Sequence, residues 1–419
     1  MQFNLNNRNI LLAVTGSISA YKACDLARLF VHSGANVYVV MSSSAFKFVS
    51  ALTFEGLTRN RVLTDSSESW ASDLNHIDIG KKCDIMIIAP ATANTINKLS
   101  KGIADNILLQ TALAFNKPII IAPSANTQML KNHYTVGSLK MLAVNETTIV
   151  EPQNKLLACG DIGSGALATV DEIFYSSLSS LYQDEFWKDR KVVVTGGGTI
   201  EKIDEVRYLS NFSSGKMAKA LVLALYSRGA DVCYITTQKD NDIPNGVYII
   251  EVTNALEMYN YTVDAVRVAK KGKMSKATMN SSEPIHLIQK EPFLFMASAV
   301  ADYTPKFPQN GKTKKSMIGD EWSLELKKTD DILSNINSDG IKIIGFKAEM
   351  DTHSGLDSAK KMLENKKLDF VCYNLLKDSS SFGSDDNDIT LISQDGTKEL
   401  GRADKLALAI KIIDEVKGE

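Results

Sequence analysis

The stretch KVVVTGGGTIEKIDEVRYLSNFSSGKM, residues 191–217, decides the fold of this chain. Residues 192–195 form a short apolar and β-branched run, which predicts a buried parallel strand. Three glycines follow at once, 196–198, and glycine lets the backbone turn tightly and approach a ligand closely. A second loop of small residues, 210–215, leads into a helical pattern whose first N–H groups can receive an anion. The stretch therefore predicts a nucleotide-binding unit that begins near the middle of the chain.

Composition limits the class of protein. The chain has 419 residues, enough for two domains that each bury a sizeable core, and its formal net charge is −2. Acidic and basic residues are interspersed, so no nucleic-acid or membrane surface is expected. The five cysteines are scattered without a CxxC pair, the polar first residues lack a signal-peptide core, and the apolar runs are too short to span a bilayer. We expect a cytoplasmic protein.

The first half of the chain alternates predicted strands with predicted helices. Each predicted strand ends in small or polar residues, which places a site at the carboxyl edge of a parallel sheet. The loop after the first strand lacks a full GxGxxG, so a mononucleotide with one phosphate fits better than a dinucleotide. The predicted strands are residues 10–15, 36–41, 84–89 and 118–122.

The second half alternates in the same way after a boundary placed at residue 188. We interpret the polar stretch 270–291 as a mobile excursion outside the sheet. Residues 385–396 predict a short antiparallel hairpin turning at Asp395 and Gly396, and a helix over 404–416 closes the chain. The predicted parallel strands are residues 192–195, 231–236, 292–298, 341–346 and 369–374.

Several single residues are ambiguous when each is considered alone. His76 is a loop histidine, and such residues are more often structural than catalytic. Cys159 lies in a glycine-rich loop, although a free cysteine is most often a small buried apolar residue. Asn126 fits a turn, Asn211 fits a helix N-cap, and the lysines of residues 312–315 fit a solvated face. Together these residues indicate one flavin-like site and one nucleotide site.

The order of motifs gives the chain a family resemblance. The first half carries GSISAYK, NHIDIG, APATANTINKLSKGIADN, PSAN (usually PAMN) and ACGDIGSG, and the second carries VRYLSNFSSGKMA, ASAVADY, KTKK and GFKAE. Over nearly its whole length the sequence resembles the bacterial bifunctional coenzyme A biosynthesis proteins, in which phosphopantothenoylcysteine decarboxylase is fused to phosphopantothenate–cysteine ligase. The resemblance implies an α/β fold of two domains: a flavodoxin-like or Rossmann-like FMN-binding sheet over residues 1–188 and a Rossmann-like nucleotide-binding ligase domain over 189–419.

For the first domain the resemblance implies an FMN-dependent decarboxylase. FMN accepts a hydride as the substrate's cysteine thiol becomes a thioaldehyde, carbon dioxide leaves, and the hydride returns. His76 matches the active-site histidine, Asn126 the asparagine that holds the substrate carboxylate, and Cys159 the proton donor. The residues expected to hold FMN are Gly16, Ser17, Ser42, Thr92 and Thr95.

For the second domain the resemblance implies that CTP and Mg²⁺ join 4′-phosphopantothenate to cysteine through an acyl-cytidylate. Asn211 matches the residue that holds the acyl-cytidylate, Arg207 is assigned to substrate binding, and Lys312 matches the lysine of the first half-reaction. The Mg²⁺ ligands are not assigned. The residues expected to contact the nucleotide are Ala299, Asp302, Lys312, Phe346 and Lys366.

The resemblance also implies a homo-oligomer. Trimeric contacts of the flavin domain and dimeric contacts of the ligase domain combine in a closed assembly such as a dodecamer.

Three positions of the ligase half depart from the family's pattern: Ile200 stands where arginine is usual, Asp330 where proline is common, and Met362 where a nucleotide-binding lysine is expected. Two other functions fit parts of the sequence. A non-catalytic FMN-binding regulatory protein would often lack the histidine or the cysteine, and both are present. A nicotinamide-dependent Rossmann reductase would need a clean GxGxxG and an acidic residue after the first strand.

Overall fold

The computed structural model describes residues 3–156, 160, 162–240, 242–275, 277–279, 284–314, 321–350, 354–376 and 383–418. The chain forms two compact units. One contains the residues up to 183 together with 275–286, and the other contains 184–274 and the residues from 287 onward. The domain boundary after residue 188 remains a prediction.

The first unit is built on a five-stranded sheet in the order β2-β1-β3-β4-β5, in which all neighbours are parallel. A separate antiparallel hairpin consists of β6 and β7. The strands are β1 (Asn9–Val14), β2 (Asn36–Met41), β3 (Ile85–Ala91), β4 (Ile119–Pro123), β5 (Thr148–Ile149), β6 (Gln153–Leu156) and β7 (Ile162–Ala166).

Eight α-helices and one 3₁₀ helix of the first unit are described. Several begin at a side-chain cap, as where Thr92 accepts a hydrogen bond from the N–H of Thr95. The helices are α1 (Ala20–His32), the 3₁₀ helix Ser43–Lys47, α2 (Ala51–Thr58), α3 (His76–Lys82), α4 (Ala93–Leu99), α5 (Ile107–Ala114), α6 (Thr127–Lys131), α7 (His133–Val144) and α8 (Val170–Leu181).

The second unit is built on an eight-stranded mixed sheet. Its order is β12-β11-β8-β15-β18-β19-β20-β21. The pairs β19–β20 and β20–β21 are antiparallel, and the other neighbouring pairs are parallel. These strands are β8 (Lys191–Gly196), β11 (Asp231–Thr236), β12 (Tyr248–Glu251), β15 (Phe293–Met296), β18 (Lys342–Glu349), β19 (Phe370–Leu375), β20 (Asp386–Ser393) and β21 (Gly396–Asp404).

Three two-stranded hairpins and five described helices complete the second unit. The hairpin strands are β9 (Ile200–Lys202) with β10 (Tyr208–Ser210), β13 (Lys273–Met274) with β14 (Leu287–Ile288), and β16 (Tyr303–Pro305) with β17 (Leu326–Lys328). The helices are α9 (Lys216–Ser227), α10 (Ala255–Ala269), α11 (Ile332–Asn335), α12 (Gly355–Asn365) and α13 (Lys405–Glu415).

Burial explains why the central strands read as unbroken apolar runs. Every residue of β3 is buried, and so are five of the six residues of β1 and of β8. A parallel strand covered by helices on both faces has no polar face, and each fully buried Val, Leu or Ile contributes about 1.5–3 kcal/mol. These strands therefore form the buried centre of each sheet.

The predicted α/β fold is confirmed, and the predicted parallel strands are observed within a few residues of their predicted ends. The hairpin near the C-terminus differs in two respects. It is longer than predicted and joins the main sheet. Its two-residue turn consists of Gln394 and Asp395, because Ser393 pairs with Gly396. Within the excursion 270–291, β13 and β14 pair with each other and not with the main sheet.

None of the helices that the structure describes has the length and apolar character needed to cross a bilayer.

Candidate active sites

The first unit contains a cavity of about 830 Å³ at the carboxyl ends of its strands. Loops that follow β1, β2, β3 and β4 all contribute to the lining, as a parallel sheet dictates. The structure brings together six of the residues that the sequence analysis assigned to this domain: Gly16, Ser17, Ser42, Thr92, Thr95 and Asn126.

Hydrogen bonds between neighbouring loops fix the floor of this cavity. The hydroxyl of Thr15 donates to the carbonyl of Pro90 at 2.6 Å and accepts from the N–H of Thr92 at 3.1 Å. The hydroxyls of Ser17 and Ser124 lie 3.1 Å apart. These bonds connect the ends of β1, β3 and β4, so the polar side chains are positioned before a ligand arrives.

Two features of the cavity suit a mononucleotide. A Cβ atom at Gly16 would lie 2.5 Å from the Cβ of Ser44, so only glycine allows these two loops to approach so closely. The hydroxyl of Ser42 is buried, and no residue that the structure describes offers it a hydrogen bond. An unpaired buried hydroxyl is costly, and this one stands in a loop that lines the cavity. The hydroxyl-lined floor therefore fits FMN.

Sequence reasoning missed the lysines of this cavity. Lys22, Lys98 and Lys155 all line it, and Lys98 forms an ion pair with Asp105. Lys22 and Lys98 stand inside motifs quoted above, but nothing in their spacing shows that their side chains share a cavity with Lys155. The fold alone brings them together.

His76 begins α3 and is not among the residues that line the cavity. Its Nδ1 lies 2.7 Å from Oε1 of Glu68, and its ring meets Trp70 edge to face with 5.6 Å between centroids. A carboxylate on one ring nitrogen fixes the orientation of the ring and leaves the other nitrogen for proton transfer. Glu68 could not be found from the sequence, because no motif relates it to the histidine. Cys159 lies outside the described residues.

In the second unit the glycine loop after β8 allows backbone segments to pack directly on one another. Gly197 has φ +83°, a conformation that favours glycine, and a Cβ at Gly198 would lie 2.8 Å from the carbonyl oxygen of Asn211. The N–H of Ala299 donates to the carbonyl of Gly197 at 2.8 Å. The predicted glycine turn thus brings Asn211 beside Ala299.

Asn211 is exposed, and its side chain is oriented by the same loop. Its Nδ2 donates to the carbonyls of Ala299 and Val300, both at 3.3 Å. Because the amide nitrogen is used in this way, the amide oxygen is left to face a ligand.

A buried carboxylate joins two segments of the ligase unit. Asp204, 2 % exposed, accepts hydrogen bonds from the N–H groups of Val206 and Arg207 at 2.8 Å and from that of Thr313 at 3.2 Å. Its Oδ2 also lies 2.6 Å from Nη2 of Arg207, which in turn donates to the carbonyl of Thr313 at 2.9 Å. Burial alone raises the pKa of Asp204, but these hydrogen bonds outweigh it and hold the pKa well below its usual range.

Lys312 is exposed and directly precedes Thr313, so the Asp204–Arg207 pair anchors the segment that carries it. The guanidinium of Arg207 also lies 4.6 Å from the ring centroid of Trp322. Sequence reasoning named Arg207 but not Trp322, which stands outside every quoted motif.

Lys366 follows α12 and forms an ion pair with Asp331 at 2.8 Å. Asp331 lies near the segment of residues 301–303, because the neighbouring Thr329 is bonded to it. The N–H of Thr329 donates to the carbonyl of Asp302 at 2.9 Å, and its hydroxyl donates to the carbonyl of Ala301 at 2.6 Å. The predicted nucleotide residues Asp302 and Lys366 are therefore connected, although Lys366 is held by a carboxylate.

The remaining positions differ in exposure. Phe346 lies in β18 and is half-buried. Ile200 is half-buried in β9, and its N–H donates to the carbonyl of Thr253 at 2.8 Å. Met362 packs against the hydrophobic core. Its terminal methyl group lies so close to Gly345 that a Cβ atom added there would be 2.9 Å away. The Met362 side chain therefore fills core space that a lysine ammonium could not occupy without a partner.

Among the described residues there is no group of three or more His, Cys, Asp or Glu side chains that could hold a metal ion.

Comparisons with known proteins match both units. The Flavoprotein family matches residues 2–181, and the family described as DNA/pantothenate metabolism flavoprotein C-terminal domain matches 187–277 and 260–418. The coenzyme A biosynthesis bifunctional protein CoaBC of Bacillus subtilis is 36% identical over 419 residues, covering 98% of this chain and 97% of the relative. That of Haemophilus influenzae is 34% identical over 420 residues, with 98% of both chains covered.

A solved C-terminal domain of a coenzyme A biosynthesis bifunctional protein CoaBC is 25% identical, covers 56% of this chain and 97% of its own, and has a TM-score of 0.42. The two family matches and the full-length relatives extend over the residues that line the cavity of the first unit. They also extend over the glycine-rich loops of the second unit. The chain belongs to the family of coenzyme A biosynthesis bifunctional proteins, enzymes that combine a decarboxylase and a ligase in one polypeptide.

Proposed function

We propose that the second unit joins 4′-phosphopantothenate to cysteine with CTP and that the first unit decarboxylates the product to 4′-phosphopantetheine with FMN. The observation that carries the proposal is the convergence of six expected residues on one cavity in a chain of this family.

FMN is assigned to the hydroxyl-lined floor of the first unit's cavity. Gly16 allows the close approach of two loops, and Ser17 and Ser42 offer hydroxyls to the phosphate or ring. Thr92 and Thr95 line the cavity from the segment after β3. When bound, FMN supplies a hydride acceptor that later returns the hydride. The protein's own part is to bind and orient the substrate and to move protons.

Three residues are assigned to the decarboxylation. Asn126 holds the substrate carboxylate from the loop after β4. His76 accepts the thiol proton or orients the thiol, with Glu68 fixing the ring. Cys159 donates the proton when the ene-thiol left by carbon dioxide loss is reduced. A thiol is a much stronger acid than a serine hydroxyl, which is why a cysteine suits this step.

The ligase unit first activates the carboxylate of 4′-phosphopantothenate. That carboxylate attacks the α-phosphate of CTP, pyrophosphate leaves, and the amine of cysteine then displaces CMP. Lys312 neutralises phosphate charge in the first step, because a cation aimed at a developing negative charge lowers the barrier. Arg207 is assigned to substrate binding. Asn211 holds the acyl-cytidylate with its amide oxygen, and its amide nitrogen is fixed by the Ala299 loop.

The nucleotide is assigned to the edge formed by Ala299, Asp302, Phe346 and Lys366. Asp331 holds Lys366 near this edge and must release it, in whole or in part, when a triphosphate arrives. The Mg²⁺ ion is assigned to the triphosphate itself, since Mg²⁺ is commonly held by substrate phosphates with few protein ligands.

We also propose that the chain works in the cytoplasm as a homo-oligomer, in a closed assembly such as a dodecamer built from trimeric and dimeric contacts. Light scattering of the purified protein measures this directly, and a monomer at working concentration would contradict it.

Two measurements test the proposed function. The absorbance spectrum of the purified protein should show bound flavin. When 4′-phosphopantothenoylcysteine is added, the protein should release carbon dioxide. Pyrophosphate release should require CTP and 4′-phosphopantothenate together. A colourless protein that depends on a nicotinamide would favour a reductase, and a yellow protein without carbon dioxide release would favour a regulatory flavoprotein.

A further inference from the structure

The second unit contains a cavity of about 280 Å³ between the end of helix α10 and the end of the short helix α11. One wall is formed by the last turns of α10, and the other by residues 335–337. The residues assigned above to the nucleotide and to the acyl-cytidylate do not line this cavity. It is therefore a separate place on the ligase unit, and the proposed reaction does not use it.

The charges of this cavity suit an anion with a single negative charge. Arg267 and Lys270 line it, and no acidic side chain among the described residues does. Arg267 also pairs with Asp264 at 2.9 Å, but both side chains are largely exposed, so the pair contributes little and the guanidinium can turn to a ligand. Two cations less this one carboxylate leave one positive charge, which a carboxylate would balance. Cations at a helix C-terminus are favourable in themselves, so it is the cavity beside them that indicates a ligand.

The remaining surface of the cavity suits an apolar body. Val266 is buried, and Val263 and Ile336 are half-buried, so a ligand here would remove apolar surface from water. An apolar cavity of about 150 Å³ holds one benzene ring, and this cavity has about twice that volume. The matching class of ligand is a monocarboxylate whose apolar body is about the size of two fused rings.

Helix α11 connects the cavity to the nucleotide edge. Nδ2 of Asn335, at the end of α11, donates to the backbone carbonyl of Asp331 at 2.8 Å. Asp331 is the N-cap of the same helix, and its carboxylate holds Lys366 at 2.8 Å. Because α11 has four residues and is only about 6 Å long, its two ends move together. A ligand that fixes the end of α11 therefore also fixes the Asp331–Lys366 ion pair.

We propose that this cavity binds a monocarboxylate with an apolar body, and that its occupation holds α11 in the position in which Asp331 retains Lys366. The effect on CTP rests on the proposed function of the second unit, whereas the binding of the carboxylate does not.

The two walls of the cavity are already joined at one point. Nζ of Lys270 donates to the backbone carbonyl of Asn337 at 2.8 Å. A carboxylate bound by Arg267 and Lys270, with its apolar body packed against Ile336, would connect the walls a second time. A ligand shifts an equilibrium only when it binds one arrangement better than another, and this ligand would bind best to the arrangement with both walls in place. Since CTP needs Lys366 released from Asp331, the ligand would oppose the binding of CTP.

The probe for this site is 2-naphthoate, whose ring fluorescence reports binding to the full chain, and 2-naphthamide is its neutral analogue. The variants are Arg267→Gln and Lys270→Gln. Lys271→Gln is the matched control, because Lys271 is an exposed lysine that directly follows Lys270 and does not line the cavity. The readouts are the dissociation constant of the probe and the dependence of pyrophosphate release on CTP.

A ligand of this size should bind the wild type with a Kd of about 0.1–1 mM. Arg267→Gln and Lys270→Gln should each weaken 2-naphthoate by about threefold to tenfold, and 2-naphthamide should bind the wild type more weakly by a similar factor. Lys271→Gln should match the wild type, and pyrophosphate release without the probe should be unchanged in all variants. Absence of saturable binding, or equal affinity in the cavity variants and the wild type, would overturn the proposal.

Saturating 2-naphthoate should raise the KM for CTP by about fivefold or more, and the rise should level off as the cavity fills. CTP should weaken the binding of 2-naphthoate in turn, because coupling between two binding sites is reciprocal. A KM that keeps rising with the probe would mean direct competition at the nucleotide edge and would overturn the proposal, as would binding that leaves the KM unchanged. If pyrophosphate release by the wild type does not depend on CTP, the proposed function fails, and the fluorescence titration still decides whether the cavity binds the carboxylate.

Discussion

Replacing Gly16 by alanine tests whether the close approach of two loops creates the flavin site. The added Cβ would lie 2.5 Å from the Cβ of Ser44 and 2.9 Å from its backbone oxygen. Carbon atoms in contact prefer about 3.5–4.0 Å, so the loop after β2 must retreat by about 1 Å or more. The neighbouring atoms include backbone, so a change of side-chain rotamer alone cannot relieve the clash.

The expected cost follows from the size of this clash. Inserting one methyl group where there is no space costs about 1–3 kcal/mol. The free protein relaxes by moving the loop that carries Ser42 and Ser44, and FMN must move it back. The strain therefore weakens FMN binding by about fivefold to 150-fold, at about 1.4 kcal/mol per factor of ten.

The assay is titration of apoprotein with FMN, followed by flavin fluorescence. Gly137→Ala is the matched control, because Gly137 lies in α7 and a Cβ there meets no atom within 4 Å. Far-UV circular dichroism and the thermal unfolding of the apoprotein report whether the first unit is still folded, and Gly16→Ala should still unfold cooperatively with a wild-type spectrum. Equal FMN affinity in Gly16→Ala and Gly137→Ala would refute the reasoning.

Further predictions concern the proposed catalytic residues and the buried carboxylate. Lys312→Gln should slow pyrophosphate release in the absence of cysteine by about 30- to 1,000-fold, a loss of about 2–4 kcal/mol in the transition state, and wild-type release would mean that another lysine binds the phosphates. Cys159→Ser should keep FMN and release carbon dioxide but form little 4′-phosphopantetheine by mass spectrometry; full product formation would exclude the proton-donor role. His76→Asn should abolish carbon dioxide release while flavin absorbance persists, and normal turnover would leave the histidine a structural role. Because the folded pKa of Asp204 lies below its unfolded value of 3.8, its contribution to stability is full above that value and is lost as the pH falls. Asp204→Asn should therefore be less stable than wild type to urea at about pH 7, with a smaller difference at about pH 3, and an equal difference at both would contradict the pKa assignment.

The parallel strands could be predicted because their signal is local. Runs such as residues 192–195 and 231–236 are apolar, β-branched and bounded by turn residues, and burial on both faces demands that pattern. The short hairpin strands were not predictable in this way. β9 and β10, for example, have three residues each, and the Asp204 carboxylate that holds the turn between them is itself bound by the distant Thr313, which is a tertiary effect.

The candidate sites were predictable where a residue stands in a loop at a strand end. Gly16, Thr92 and Asn126 follow three different strands of one parallel sheet, so their convergence follows from topology alone. Residues that enter from outside the sheet were not predictable. Lys155 arrives on a hairpin and Trp322 on a distant segment, and neither position has a periodicity that relates it to the site.

The buried hydroxyl of Ser42 lowers the stability of the free chain and, through the proposed contact, raises its affinity for FMN. This group has lost water without gaining a partner among the described residues, a penalty of about 1–3 kcal/mol that the FMN contact proposed above would relieve. Ser42→Ala would remove the penalty and raise the melting temperature of the apoprotein, while lowering the additional stabilisation that FMN brings. A screen that selects only for heat resistance of the free chain would therefore favour a protein that holds its cofactor less tightly.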